Sequence, residues 1–205
     1  MKQRITLCIT LAMAGLATLA GASATVGEAA PAFSAVDSRG KAVNLADFKG
    51  RLVVLEWVNP GCPFVVKHYG AGNMQATQKG ATDKGVVWLA INSTSKDHGD
   101  YRAPEAMTSW MQGHKASANA TLMDESGKIG RAYGARTTPH MYVIDPAGKL
   151  VYAGAIDSKP TANPADIASA INHVNAALAQ TLAGKAVTVA QTRAYGCSVK
   201  YSSPA

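Results

Sequence analysis

This 205-residue sequence predicts an α/β fold in which a mixed central sheet carries helices on both faces. Three observations carry that reading. Residues 52–58 (LVVLEWV) and 85–92 (GVVWLAIN) are short, nearly continuous apolar runs. Such runs, bounded by turn residues, mark strands buried on both sides. Helical patterns alternate with them, as layered α/β domains require. Finally, Asp145-Pro146-Ala147-Gly148 forms a turn between the apolar stretches 141–144 and 150–156, an antiparallel hairpin that makes the sheet mixed.

The elements follow in chain order. Residues 1–24 form a secretory signal: Lys2 and Arg4 start it, an apolar core follows, and Ala22-Ser23-Ala24 is a small-residue cleavage site. No later stretch is long and apolar enough to span a bilayer, so no stable membrane insertion is expected after cleavage. Residues 31–50 contain the turn Asp37-Ser38-Arg39-Gly40 between short alternating runs, an N-terminal hairpin extension. After the 52–58 strand, Asn59-Pro60-Gly61 breaks the chain, and Pro63 suits the first position of a helix capped by Cys62. Gly70-Ala71-Gly72 interrupts that helix, and Asn73 is placed to cap a second piece running to Lys84. A helix over 103–115 presents Met107, Trp110 and Met111 to the core. A strand at 120–123 and a helix at 125–133 closed by Gly134 come next. Asn163 and Pro164 open one long helix whose stripe is Ile167, Ile171, Val174, Leu178 and Leu182. The chain therefore divides into the signal at 1–24, a domain at 25–184 and a tail at 185–205.

Charge and cysteine content narrow the function. The sequence carries a net charge of +7. Without Lys2 and Arg4, 18 basic residues stand against 13 acidic, leaving +5. These charges are scattered, so no nucleic-acid footprint is present. Cys8 leaves with the signal, and Cys62 and Cys197 remain, 135 residues apart. The chain alone leaves open whether they bond each other or stay free. The five histidines are dispersed and none forms a ligand spacing with a cysteine, so neither a metal nor another cofactor is expected.

Cys62 is the candidate nucleophile. At a helix start, unpaired N–H groups and the aligned peptide dipoles favour a thiolate, lowering the thiol pKa. Lys67 and His68 lie within two turns. The competing interpretation is a small buried apolar residue, but the Asn-Pro-Gly break and Pro63 are unusual company for a core filler.

These residues resemble the thioredoxin fold and, within it, the peroxiredoxin-like redoxins. The resemblance spans about residues 31–156 and rests on Asn59-Pro60-Gly61-Cys62-Pro63-Phe64-Val65, on Thr138-Pro139 ahead of the 141–144 strand, and on the 145–148 hairpin. It implies a cis bond at Thr138-Pro139, with the Thr138 backbone turned toward the sulfur to receive substrate alongside Pro63. It also implies that Glu56, six residues before Cys62, is a buried carboxylate and proton partner of the thiol. Arg136 would aim positive charge at the thiolate, and Cys197 in Gly196-Cys197-Ser198-Val199-Lys200-Tyr201 would resolve the oxidised Cys62.

Two departures matter. The second position of a C-x-x-C motif is Val65, so no local dithiol exists. The Pro and Thr that peroxiredoxins place seven and three residues before the reactive Cys are Leu55 and Asn59, leaving Asn59 as the substitute hydrogen-bond donor. The expectation is a periplasmic or secreted, antioxidant-type thiol oxidoreductase that reduces peroxides and is regenerated by an external dithiol protein. Disulfide exchange through a mixed disulfide at Cys62 is the alternative, and a non-catalytic thioredoxin-fold binding module is the third.

Overall fold

The computed structural model describes residues 23–202. The expected signal segment, up to residue 22, and its Cys8 lie outside the described residues. In chain order the strands are β1 (Ser34–Asp37), β2 (Ala42–Asn44), β3 (Val53–Trp57), β4 (Val87–Asn92), β5 (Ala120–Met123), β6 (Thr137–Thr138), β7 (His140–Ile144), β8 (Leu150–Gly154) and β9 (Cys197–Ser198). The α-helices are α1 (Pro63–Gly70), α2 (Asn73–Thr82), α3 (Pro104–Gly113), α4 (Lys128–Tyr133) and α5 (His173–Leu182).

Seven strands form one mixed sheet in the order β2-β1-β5-β4-β3-β7-β8, and β6 pairs with β9 separately. The two apolar runs become the centre: β3 pairs parallel with β4 and antiparallel with β7. Every residue of β3 and β4 is buried. Alternation along β3 divides the core into two layers. Val54 and Val58 face Val65, Tyr69, Met74 and Val174 of α1, α2 and α5, while Val53, Leu55 and Trp57 face Ile129 and Tyr133 of α4. A fully buried Leu or Ile contributes about 2 kcal/mol, so these two layers supply much of the drive for folding. The expected helices on both faces are present.

The N-terminal hairpin forms as expected. The Asp37 carboxylate accepts from the amides of Arg39 and Lys41 at 2.9 and 2.8 Å, and β1 joins the sheet through β5.

Two expectations are corrected. The long helix from Asn163 is two pieces. Asn163 caps a 3-10 turn over Pro164–Ser169, Ala170 is extended, and a second cap, Asn172, opens α5 by accepting from Asn175 N at 2.9 Å. The backbone between the pieces pairs with residues 156–158: Ser158 N donates to Ile171 O and His173 N to Ile156 O. Those bonds replace helical ones, and Ile171 is left 65% exposed. The second correction concerns α2, whose cap is Gly72 in the left-handed region and whose end is Thr82. The Asn73 side chain turns instead to His68 Nδ1 at 2.8 Å.

Candidate active site

Cys62 caps α1 where β3 ends, with Pro63 at the first helical position. Its amide donates to Asn59 O at 3.0 Å, closing the turn that carries the chain from strand to helix. The thiol is 2% exposed, and its Sγ donates to the Thr138 carbonyl at 2.9 Å. The Thr138-Pro139 bond is cis.

Cys197 arrives from the other end of the chain. Strand β9 pairs antiparallel with β6, placing Cys197 opposite Thr138 and Ser198 opposite Thr137. Gly196 lets the tail pass this closely. Its φ is +134°, and a Cβ there would overlap the Thr138 carbonyl oxygen. Both cysteines are free thiols, Cys62 buried and Cys197 partly so.

The two thiols titrate in opposite directions. Burial pushes Cys62 up, but hydrogen bonds from the Cys197 thiol, from Thr138 and from the amides of Cys197 and Val65 outweigh it, and the net shift is downward. The Thr138 hydroxyl is buried with no hydrogen-bond partner among the described residues. Cys197 is pushed up to about 11 by burial, by its hydrogen bond to Cys62 and by the Cys62 charge, against the pull of Lys200. The surroundings therefore favour ionisation of Cys62 over that of Cys197.

The remaining expected site residues are placed as follows. Pro63 is exposed beside Cys62, and Pro139 is buried behind Thr138. Asn59 is buried but occupied. Its Oδ1 accepts from Gly61 N at 2.8 Å and its Nδ2 lies 3.5 Å from Thr94 Oγ1, so it shapes the turn; among the described residues no side-chain hydrogen bond joins it to Cys62 Sγ. Glu56 is fully buried, as expected, but its partners are Tyr69 Oη at 2.8 Å, Gln78 Nε2 at 3.0 Å and Trp88 Nε1 at 2.7 Å. Burial raises its pKa against these three hydrogen bonds. Among the described residues no hydrogen bond joins it to either cysteine; it ties β3 to α1, α2 and β4. Arg136 is exposed, and its charge bears on His140, pushed down to about 4 by burial and by Arg136, while Cys62 owes no part of its shift to it.

Sequence reasoning missed a buried polar cluster next to the thiols. Lys67 and His68 of α1 and Asp157 have buried side chains, with Lys67 Nζ and His68 Nε2 each 3.8 Å from Asp157 Oδ2. Tyr195 Oη donates to Asp157 Oδ1 and lies 3.3 Å from His68 Nε2. Burial lowers His68 to about 4, partly opposed by Asp157 and reinforced by Lys67. The adjacent Lys67 and His68 were a visible signal, but nothing in the linear chain pointed to Asp157 as their partner.

Among the described residues no group of acidic, His or Cys side chains is arranged to hold a metal ion, and no helix is long and apolar enough to cross a membrane.

A strand ending in a capped cysteine, set against a cis-proline loop, defines the thioredoxin-like class, and comparison with known proteins agrees. The redoxin family model matches residues 25–171, so the chain belongs to the redoxin family. No curated protein matches it. Among solved structures, an uncharacterized conserved protein from Geobacillus kaustophilus is 29% identical, with a TM-score of 0.74 over 88% of this chain and 94% of its own. A hypothetical protein from Sinorhizobium meliloti 1021 is 26% identical, with a TM-score of 0.72 over 89% and 98%. The thioredoxin domain of a thiol-disulfide oxidoreductase from Bacteroides vulgatus is 26% identical, with a TM-score of 0.50 over 64% of this chain and 89% of that one. The first two likenesses extend well beyond the share of the chain that resembles a thioredoxin domain.

Proposed function

We propose that this redoxin is a thiol-disulfide oxidoreductase whose working couple is Cys62 and Cys197. The observation that carries the reading is the placement of Cys197 opposite Thr138, the residue whose carbonyl accepts from Cys62 Sγ at 2.9 Å. The couple stands in for the missing C-x-x-C, with its second thiol supplied by the tail.

The chemistry follows from the opposed titration of the two thiols. The Cys62 thiolate attacks one sulfur of a substrate disulfide. A Cys62–substrate mixed disulfide forms, and the other substrate sulfur leaves as a thiolate. Cys62 is then uncharged and no longer accepts the Cys197 proton. Two of the causes that raise Cys197 disappear, while the Lys200 charge that lowers it stays. Cys197 ionises and attacks the Cys62 sulfur, forming the Cys62–Cys197 bond and releasing the second substrate thiolate. Two electrons from an external dithiol protein restore the pair. Exposed Pro63 and Val66 give the mouth an apolar rim suited to a polypeptide.

Peroxide is the second substrate reading, and one observation favours it: a sulfur only 2% exposed admits a small oxidant more readily than a protein. Cys62 would then become a sulfenic acid, releasing water or an alcohol, and Cys197 would condense with it to the same disulfide with loss of water. The engagement of Asn59 with Gly61 and the exposure of Arg136 weigh against this. The signal-like N-terminus supports a periplasmic or secreted location, where such a couple meets oxidants.

The test is a parallel stopped-flow measurement on reduced protein with oxidised glutathione and with hydrogen peroxide, using Cys62→Ser as control. Disulfide exchange faster than a free thiol, ending in a Cys62–Cys197 bond seen by mass spectrometry, supports the first reading. A fast reaction with peroxide alone transfers the assignment to the second. Rates no better than a free thiol with both would end both readings and leave a binding role.

A further inference from the structure

Tyr195 stands two residues before Cys197, and the hydrogen bonds, the aromatic contact and the cation contact of its side chain go to the Cys62 helix and to Asp157. The phenol donates to Asp157 Oδ1 and meets His68 Nε2. Phe64 packs edge-on against the ring with centroids 5.8 Å apart, and Lys67 Nζ lies 5.7 Å from the ring centre. Phe64, Lys67 and His68 all lie on the short helix that Cys62 caps. One side chain therefore connects the segment carrying one thiol to the helix carrying the other.

The cluster is costly for a purely structural contact. Three ionisable side chains are withdrawn from water, and Asp157 Oδ2 has no hydrogen-bond partner among the described residues. Buried charges of this kind give little stability compared with apolar packing of the same volume. They do give a defined geometry, because the phenol has one acceptor to find. The broken helix before α5 serves the same end: the bonds of residues 156–158 to 171–173 hold Asp157 in place.

We propose that Tyr195 is a positioning residue. Its hydroxyl, held by Asp157 and His68, sets the tail so that Cys197 faces Cys62, and so sets the rate at which the disulfide closes. This rests on the reading that Cys62 and Cys197 are the working couple. The step affected is attack of the Cys197 thiolate on a Cys62–glutathione disulfide, which forms the Cys62–Cys197 bond and releases glutathione thiolate. The anchor downstream of Cys197 is of a different kind: Tyr201 Oη donates to Ala135 O at 2.7 Å and the ring lies under Arg131, away from α1.

The experiment mixes reduced protein with oxidised glutathione, quenches with acid and follows each species by mass. In the unsubstituted protein the mixed disulfide at Cys62 should be short-lived. In Tyr195→Phe, closure should slow about tenfold, the order expected when a preorganised pair loses one positioning contact, and the mixed disulfide should accumulate. Initial attack by Cys62 should change far less. A structural role alone would lower thermal stability and leave the closure rate where it was, and that result overturns the proposal. Phe64→Leu loosens the same grip from its apolar side and decides the matter if Tyr195→Phe does not fold; unchanged closure there overturns it equally. If the unsubstituted protein never forms the Cys62–Cys197 bond, the couple itself fails, which is a separate outcome read in the same experiment.

Discussion

Cys62 and Cys197 meet at the same loop, but they are held there by different physics. Cys62 sits at a junction of regular elements. A strand buried on both faces ends, a turn closes on Asn59 O, and a helix begins. Its position is a by-product of the core. Cys197 sits on a tail with two residues of strand, positioned by side chains that reach outward: Tyr195 to the Asp157 cluster and Tyr201 to α4. The core holds Cys62, while Cys197 is held by the contacts of single side chains around it. That division suits the proposed cycle, in which Cys62 is uncovered for substrate and covered again for closure.

The comparison can be broken at four points, with effects in decreasing order. Cys62→Ser should remove reaction with oxidised glutathione altogether, a loss of at least about a thousandfold, whereas Cys197→Ser should keep the first attack and stop at the mixed disulfide. Mass spectrometry of quenched samples separates the two. If both variants stop at the same stage, the thiols are not divided into attacker and resolver.

Glu56→Ala should cost about 3 kcal/mol or more in denaturant unfolding, because three buried donors lose their acceptor. Exchange at Cys62 should persist wherever the variant is folded. Glu56→Gln should be far milder and should also flatten the pH dependence. Burial raises the Glu56 pKa, so the folded chain binds its proton more tightly than the unfolded one. That contribution is full below the unfolded value near 4.5 and is lost as pH rises through the folded value. The unsubstituted protein should therefore lose stability over that window relative to Glu56→Gln, as unfolding curves across pH would record.

Gly196→Ala should weaken tail docking by about 1–3 kcal/mol, from a strained φ and overlap with the Thr138 carbonyl. Global melting should move little, because few core contacts are involved. The sensitive readout is alkylation of Cys197, which should speed up. A large drop in melting temperature with unchanged alkylation would mean that the tail is part of the core after all.

The smallest effect is on titration. Cys197→Ala removes a hydrogen-bond donor from the Cys62 thiolate and should raise its pKa, whereas Cys197→Ser keeps a donor and should raise it less. Ultraviolet absorbance of the thiolate against pH measures both. Equal values in the two variants would show that the Cys197 thiol gives Cys62 no help.

Much of this architecture was legible in the chain because it depends on local rules. Apolar runs bounded by turn residues located β3 and β4, the alternation of strand and helix gave the fold class, and Pro63 after Cys62 marked the start of α1. The long helix after Asn163 misled for an instructive reason. Its apolar spacing is helical, but a second cap at Asn172 and pairing with residues 156–158 offered its backbone better partners. Glu56 and Arg136 show a different limit. A carboxylate within an apolar strand signals burial, and an arginine near the cis-proline loop signals charge, but neither signal says which atoms the side chain will touch.

What the sequence alone determined was the central strands, the helix that starts after Cys62 and the absence of a local dithiol, since each depends on neighbours a few residues away. What only the tertiary structure decided was the placement of Cys197 opposite Thr138, the capture of Glu56 by Tyr69, Gln78 and Trp88, and the meeting of Tyr195 with Asp157 and His68. Those contacts join segments far apart in the chain. A polar side chain's partner is chosen by whatever donor or acceptor the packed core leaves within hydrogen-bond reach, and no periodicity in the sequence records that choice.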